Sequence, residues 1–263
     1  MEQQQSQLYL DQVSLTAPFS SLYLLKDISF TVERGDRVAI VGTSGAGKTS
    51  LLRLLNKLSS PTSGRIYLDT QEYDKIPVIQ LRKEVTLVLQ DSKLLGMSVV
   101  EAIAYPLKLR GIKAAEIQQR CEYWIEQLNI SESWLSSSEL QLSMGQKQLV
   151  AIARAAVIQP KIILLDEPTS ALDIGSANRV IQVLTTLAKN GITVIIVTHQ
   201  IDLAQHFCTK LLHLERGELI LYSPNSKVDW VKLRHNIIQT QAQETEEWGE
   251  KAVSIQNSVV SFF

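Results

Sequence analysis

Two cysteines, Cys121 and Cys208, are all that 263 residues provide, and neither stands in C-x-x-C spacing or beside a histidine cluster. That scarcity argues against a disulfide framework or a zinc site; both thiols are expected in the core, and a reducing compartment suits the chain. A surplus of one charge is missing too. Lys and Arg number 26 against 27 Asp and Glu, which gives none of the basic excess on which nucleic-acid binding rests. No apolar run approaches the roughly 20 residues of a membrane helix. Ile192 to Val197 is short, and Arg154 interrupts Leu149 to Ile158. The opening MEQQQSQLYL lacks the basic and apolar regions of a secretory signal, so a cytosolic location is expected. If the protein works at a membrane, a partner must hold it there.

What is present is an ordinary globular composition, 45% apolar and 20% charged, in a chain long enough to bury a large core without staples. Leu8 to Leu15 and Leu25 to Val32 alternate apolar and polar residues, as half-buried strands of an antiparallel sheet do. Val38 to Val41 is a short apolar strand that runs straight into a glycine-rich loop. A helix is expected from Lys48, with Leu51, Leu52, Leu55 and Leu58 on its apolar face. Strands are expected at Arg65 to Leu68 and Val85 to Leu89, a helical stretch from Ser98 to Leu135, and a helix from Ser143 to Gln159 ended by Pro160. Lys161 to Leu165 and Ile192 to Val197 read as strands buried on both faces, with a helix over Ala177 to Ala188 between them. Leu211 to Leu214 and Leu219 to Tyr222 form a hairpin around Arg216 and Gly217. Strands alternating with helices predict an α/β fold around a mostly parallel sheet.

Gly42-Thr43-Ser44-Gly45-Ala46-Gly47-Lys48-Thr49 satisfies the phosphate-loop pattern between a strand and a helix. Glycines let backbone N–H groups curl around phosphate oxygens, and the helix N-terminus adds positive potential. Lys48 supplies a point charge, the Thr49 hydroxyl can ligate Mg²⁺, and Ser50 is placed to reach the α-phosphate. Such a loop alone does not choose among kinases, GTPases and motor or transport ATPases.

Asp166 and Glu167 end the strand that starts at Lys161, at the sheet edge where ligands collect. One acid can serve Mg²⁺, expected of Asp166, while Glu167 polarises the attacking water. Taken alone, the pair also fits two solvated acids before the Pro168 turn. His199, just past another strand end, is in this company a candidate γ-phosphate contact, although a lone histidine there is usually structural. Gln90 ends the Val85 strand and could ligate Mg²⁺ or position water.

Leu142-Ser143-Met144-Gly145-Gln146 resembles the LSGGQ signature of ABC ATPases. Ser143 with Gln146 three residues on has capping-box spacing, which leaves helix N–H groups for an anion. The resemblance covers about Leu8 to Tyr222. Gln90 matches the family's Q-loop, Ser170-Ala171-Leu172-Asp173 its D-loop, and Thr198-His199 its switch histidine. It implies a P-loop NTPase core with an N-terminal antiparallel β subdomain and an inserted α-helical subdomain at about 91–158. Residues 1–223 would form the ATPase domain and 224–263 a helical or partly disordered tail.

By the same resemblance ATP and Mg²⁺ are the ligands, Glu167 the general base and His199 the γ-phosphate sensor. Ser143, Gly145 and Gln146 would meet the ATP held by a second copy, with Asp173 signalling across the pair. A permease subunit would dock on Lys93, Leu94, Leu95 and the helix near Val99, keeping the protein peripheral on the inner membrane face. The alternative is a soluble assembly ATPase of the iron–sulfur type. Lack of a long coiled-coil insertion argues against a DNA-repair ATPase. Three positions depart from the family pattern. The adenine-stacking aromatic falls near Ala17, which leaves Phe19 or Tyr23 for the base; Met144 replaces a small glycine, and Leu149 stands where arginine is common. Asp229 to Glu250, with Trp230, Leu233 and Ile237, reads as an amphipathic helix, and Val259-Val260-Ser261-Phe262-Phe263 as an apolar end in need of cover.

Overall fold

Nearly every residue of the central strands is apolar and buried, which requires a sheet covered on both faces. A computed structural model describes residues 6–243 and shows that sheet. Its strands are β3 (Arg37–Val41), β6 (Val85–Val88), β7 (Ile162–Asp166), β8 (Thr193–Val197), β9 (Lys210–Glu215) and β10 (Glu218–Pro224), in the order β10-β9-β3-β8-β7-β6. All neighbours run parallel except the β9–β10 hairpin. β1 (Leu8–Thr16), β2 (Tyr23–Val32), β4 (Ser63–Leu68) and β5 (Gln71–Glu72) form a second, antiparallel sheet in the order β2-β1-β4-β5.

Side chains leave alternate faces of a strand, and the two cores follow that rule. Ile162 and Leu164 of β7 join Ile195 and Val197 of β8 in a core shared with the antiparallel sheet and α1 (Lys48–Leu55). Ile163 and Leu165 join Val194 and Ile196 in a core on the other face. That second core is closed by α3 (Val99–Leu109), α4 (Ala114–Gln127), α5 (Met144–Ala156), α6 (Ile174–Lys189) and α7 (Ile201–Phe207). Cys121 and Cys208 are both free thiols buried there, as expected.

Several local expectations change. α1 stops at Leu55 because Lys57 takes a left-handed φ of 54°, so Leu58 is half exposed and Leu54 completes the apolar face instead. Leu89 lies past the end of β6 and is exposed. The helical stretch divides at Gly111 into α3 and α4, and α2 (Val78–Glu84) and α7 appear where no helix was anticipated. No helix among the described residues is long and apolar enough to cross a membrane.

A helix at 230–243 follows the hairpin. Asp229 caps it by accepting from the Lys232 N–H at 3.0 Å, and Trp230 Nε1 donates to Asn225 Oδ1 at 3.0 Å. Leu233 is buried, Trp230 and Ile237 pack on the helical core, and Arg234 pairs with Asp202 of α7. The acidic stretch after 243 and Val259 to Phe263 lie outside the described residues.

Leu164 is fully buried in the core between the two sheets and α1. Leu164→Ala should therefore cost about 2–5 kcal/mol of stability, read from a lower midpoint in urea denaturation at unchanged slope.

Candidate functional site

Parallel pairing of β3, β8 and β7 sets their C-terminal ends side by side, and everything the motifs singled out on those ends faces one cleft. This cleft, about 360 Å³, is lined by Ser44, Gly45, Gly47, Lys48, Thr49, Ser50, Gln90, Asp166, Glu167 and His199. A larger cavity of 780 Å³, between Trp124, Lys161 and Asn190, holds none of the predicted site residues.

The loop from β3 to α1 is fixed by close backbone packing. A Cβ on Gly42, whose φ is +150°, would lie 2.1 Å from the Leu214 carbonyl oxygen of β9, so only glycine fits. Gly42 and Thr43 are buried, whereas Ser44 and Gly45 form the exposed tip, and Ala46 turns inward to the core. Lys48 is buried, and its ammonium donates to the carbonyls of Gly42 at 2.9 Å and Thr43 at 2.6 Å. Gly47, left-handed, caps α1 with no side chain in the way of the helix N–H groups. The cradle and the dipole thus point into the cleft.

The Thr49 hydroxyl donates to Asp166 Oδ2 at 2.8 Å, which joins the loop to the end of β7. One residue later the backbone turns left-handed, φ 50° at Glu167, and the Glu167 N–H donates to the Val197 carbonyl at 3.1 Å. This turn separates the two acids in direction. Glu167 is 8% exposed, and its Oε1 is buried without a hydrogen-bond partner. His199 Nε2 comes within 3.3 Å of that oxygen, out of line for a hydrogen bond. Burial pushes the Glu167 carboxyl up to about 7; the Lys48 charge opposes that shift and Asp166 adds to it. Burial, helped by Lys48, lowers the His199 pKa, so the imidazole is neutral at pH 7 and keeps one N–H to donate.

Mg²⁺ requires hard oxygen donors and retains several waters. A hydroxyl and a carboxylate already adjacent at 2.8 Å, with the Gln90 amide on the same cleft, provide such a set. No group of three or more His, Cys, Asp and Glu converges among the described residues, which leaves no competing nest for a softer metal.

Some predicted residues are elsewhere. Ser143 caps α5: its Oγ accepts from the Gln146 N–H at 3.2 Å, and Gln146 Oε1 accepts from the Ser143 N–H at 2.8 Å. The expected capping box is there, but Ser143, Gly145 and Gln146 do not line the cleft of their own chain. A Cβ on Gly145 would lie 2.6 Å from the Ala171 carbonyl, so this loop touches the Ser170–Asp173 segment. Asp173 caps α6, accepting from the Ser176 N–H at 3.0 Å. Phe19 projects fully into solvent and Tyr23 is half exposed; neither lines the cleft, whereas Leu24 does.

Comparison with known proteins decides the family. The ABC transporter family model matches residues 25–170. The chain is an ATP-binding domain of the ABC transporter family, and an ABC-type ATPase. It is 35% identical over 221 residues to the glutamine transport ATP-binding protein GlnQ of Geobacillus stearothermophilus, covering 82% of this chain and 90% of that one. With the methionine import ATP-binding protein MetN of Caulobacter vibrioides it shares 35% over 201 residues, 74% of this chain but only 60% of the relative. The ABC cassette MJ0796, solved as a dimer in a post-hydrolysis state with ADP and Pi, superposes with a TM-score of 0.77 at 30% identity, covering 83% and 98%.

Other residues of this ABC ATPase lie near its site although no motif in the sequence places them there. Arg154 reaches from α5 to the Lys93 carbonyl at 2.9 Å, and Gln148 lies buried against Ser92 at 3.2 Å, so α5 is tied to the segment after Gln90. Ile237 and Gln241 of the C-terminal helix share a small cavity with Gly42 and His199. Their i, i+4, i+8 register with Leu233 was the available signal.

Gly42→Ala should displace the loop from β9 and weaken nucleotide affinity by at least about tenfold. Titration with a fluorescent ATP analogue would register the change.

Proposed function

We propose that two copies of this chain close on two ATP molecules and that the hydrolysis cycle drives a solute through a separate membrane protein. The division of the site carries this reading. One cleft gathers the phosphate loop, Gln90, both acids and His199, while the capped N-terminus at Ser143 lies outside it. A second copy would bring its Ser143, Gly145 and Gln146 to the open side, and the dimeric state named for MJ0796 supports that arrangement.

In that arrangement Lys48 and the loop N–H groups hold the phosphates, with Ser50 toward the α-phosphate. Thr49, Asp166 and Gln90 would hold Mg²⁺, whose contribution when bound is to neutralise charge on the phosphate oxygens. Glu167 takes a proton from the attacking water, and its burial makes it a stronger base than an exposed carboxylate. Neutral His199 donates its N–H toward the γ-phosphate as charge develops. Adenine contact falls to Phe19 or Tyr23, either of which must swing toward Leu24. Residues 1–223 would be the ATPase domain, with its helical part at about 91–158 and an appendage at 224–263.

Coupling to a membrane partner rests on a groove of about 430 Å³ in which Leu89, Leu95, Tyr105 and Leu109 are exposed beside Lys93 and Arg154. That much uncovered apolar surface in one concavity fits a protein partner better than solvent. The named roles of GlnQ and MetN in glutamine transport and methionine import support uptake of a small solute, with the chain peripheral on the cytoplasmic face.

Glu167→Gln should bind ATP, accumulate as a dimer on size-exclusion chromatography and lose at least about 100-fold in turnover; wild-type turnover would remove Glu167 from the mechanism. The base works unprotonated, so kcat/KM for ATP should rise with pH to a plateau above about 7. A limb near the ordinary glutamate value of about 4.3 would contradict the buried state. Purification from native membranes should bring down a polytopic protein; a soluble partner alone would overturn transport in favour of an assembly ATPase.

A further inference from the structure

The His199 imidazole must be held to within a fraction of an ångström to donate toward developing charge, yet no hydrogen bond to its ring is made by the described residues. Its ring is 54% exposed, and its contact with Glu167 is out of hydrogen-bond line. On the other side it borders a cavity of about 170 Å³ whose wall is Gly42, Thr43 and Ser44 of the phosphate loop, Ile201 of α7, and Ile237 and Gln241 of the helix at 230–243. The helix at 230–243 therefore faces His199 and the start of the phosphate loop across one small cavity.

That helix is clamped to the body where it counts. Arg234 pairs with Asp202, three residues past His199 in the chain. Leu233 is buried, Ile237 packs on the helical core, and Trp230 is bonded to Asn225, which itself donates to the carbonyls of Gln205 at 2.9 Å and Cys208 at 2.8 Å at the end of α7. α7, with His199 just before it, and the C-terminal helix form one packed unit. Ile237 packs on the core cluster that contains Ile201, so a shift of the helix reaches α7, and His199 just before it, through that core, because close-packed interiors deform little.

We propose that the helix at 230–243 positions His199 against the phosphate loop, with Ile237 and Gln241 as its positioning residues, so that hydrolysis depends on a segment beyond the last strand. This rests on the role given above to His199. Neither residue touches the reacting atoms; both act through the ring and the loop. Misplacement of a catalytic group by about 1 Å can cost up to about 100-fold in rate, and partial loss of a wall costs less.

The test uses the full chain carrying Gln241→Ala or Ile237→Ala, each alone and combined with His199→Ala. Gln241 is exposed, so its variant should fold even if Ile237→Ala loses some stability. Each single variant should lower kcat about tenfold with KM for ATP within about twofold, and Ile237→Val should recover most of the loss. In the His199→Ala background neither change should lower kcat further. Wild-type kcat in both variants, the same fold loss with and without His199, or a rise in KM at unchanged kcat would each overturn the proposal. Glu167→Gln run in parallel keeps the two readings apart: full turnover there refutes the mechanism of the cleft, whatever the C-terminal variants show.

Discussion

Parallel pairing of β3, β8 and β7 is the constraint on which the rest depends. Register brings Asp166 opposite Val197 and Ile40 opposite Val197, so the loop after β3, the acids after β7 and the histidine after β8 emerge in one row. Such pairing is stable only when both faces are dry, and the unbroken apolar runs in these strands meet that demand. The hydrogen bond from Thr49 to Asp166 then ties two of the three strand ends together across 117 residues of chain.

Burial of Glu167 follows from the same pairing. Its N–H continues the ladder to Val197, and its left-handed backbone turns the carboxylate back over the core edge instead of outward. The cost of desolvation appears as a raised pKa, and the charge of Lys48 limits it. Asp166, one residue earlier, keeps a hydroxyl partner. Two adjacent acids thus meet different surroundings, where one backbone dihedral changes sign.

Much of this was legible from the chain. The phosphate loop, the acid pair and the Ser143 cap are each local, built from residues within a few positions of one another, and local pattern survives without knowledge of the fold. α2 was unreadable because Val78 and Ile79 face solvent, which breaks the amphipathic signature, and α7 is too short for periodicity to show. Leu58 fitted the α1 stripe by spacing, but the left-handed Lys57 ends the helix first, its ammonium donating to the Tyr73 and Ile76 carbonyls. The approach of Ile237 and Gln241 to Gly42 joins residues nearly 200 positions apart. Register within the helix announces a buried stripe without saying what it will be buried against.

Arg154 and Ser143 stand at opposite ends of α5. The first is bonded to the backbone of Lys93 at the rim of the apolar groove; the second caps the end that presses, through Gly145, on the Ala171 carbonyl. With 13 residues at about 1.5 Å each, the helix is a rod of about 20 Å. A rod anchored at both ends cannot absorb a push at one of them. A partner seated in the groove would therefore act on the Ser143 turn along the axis of this one helix.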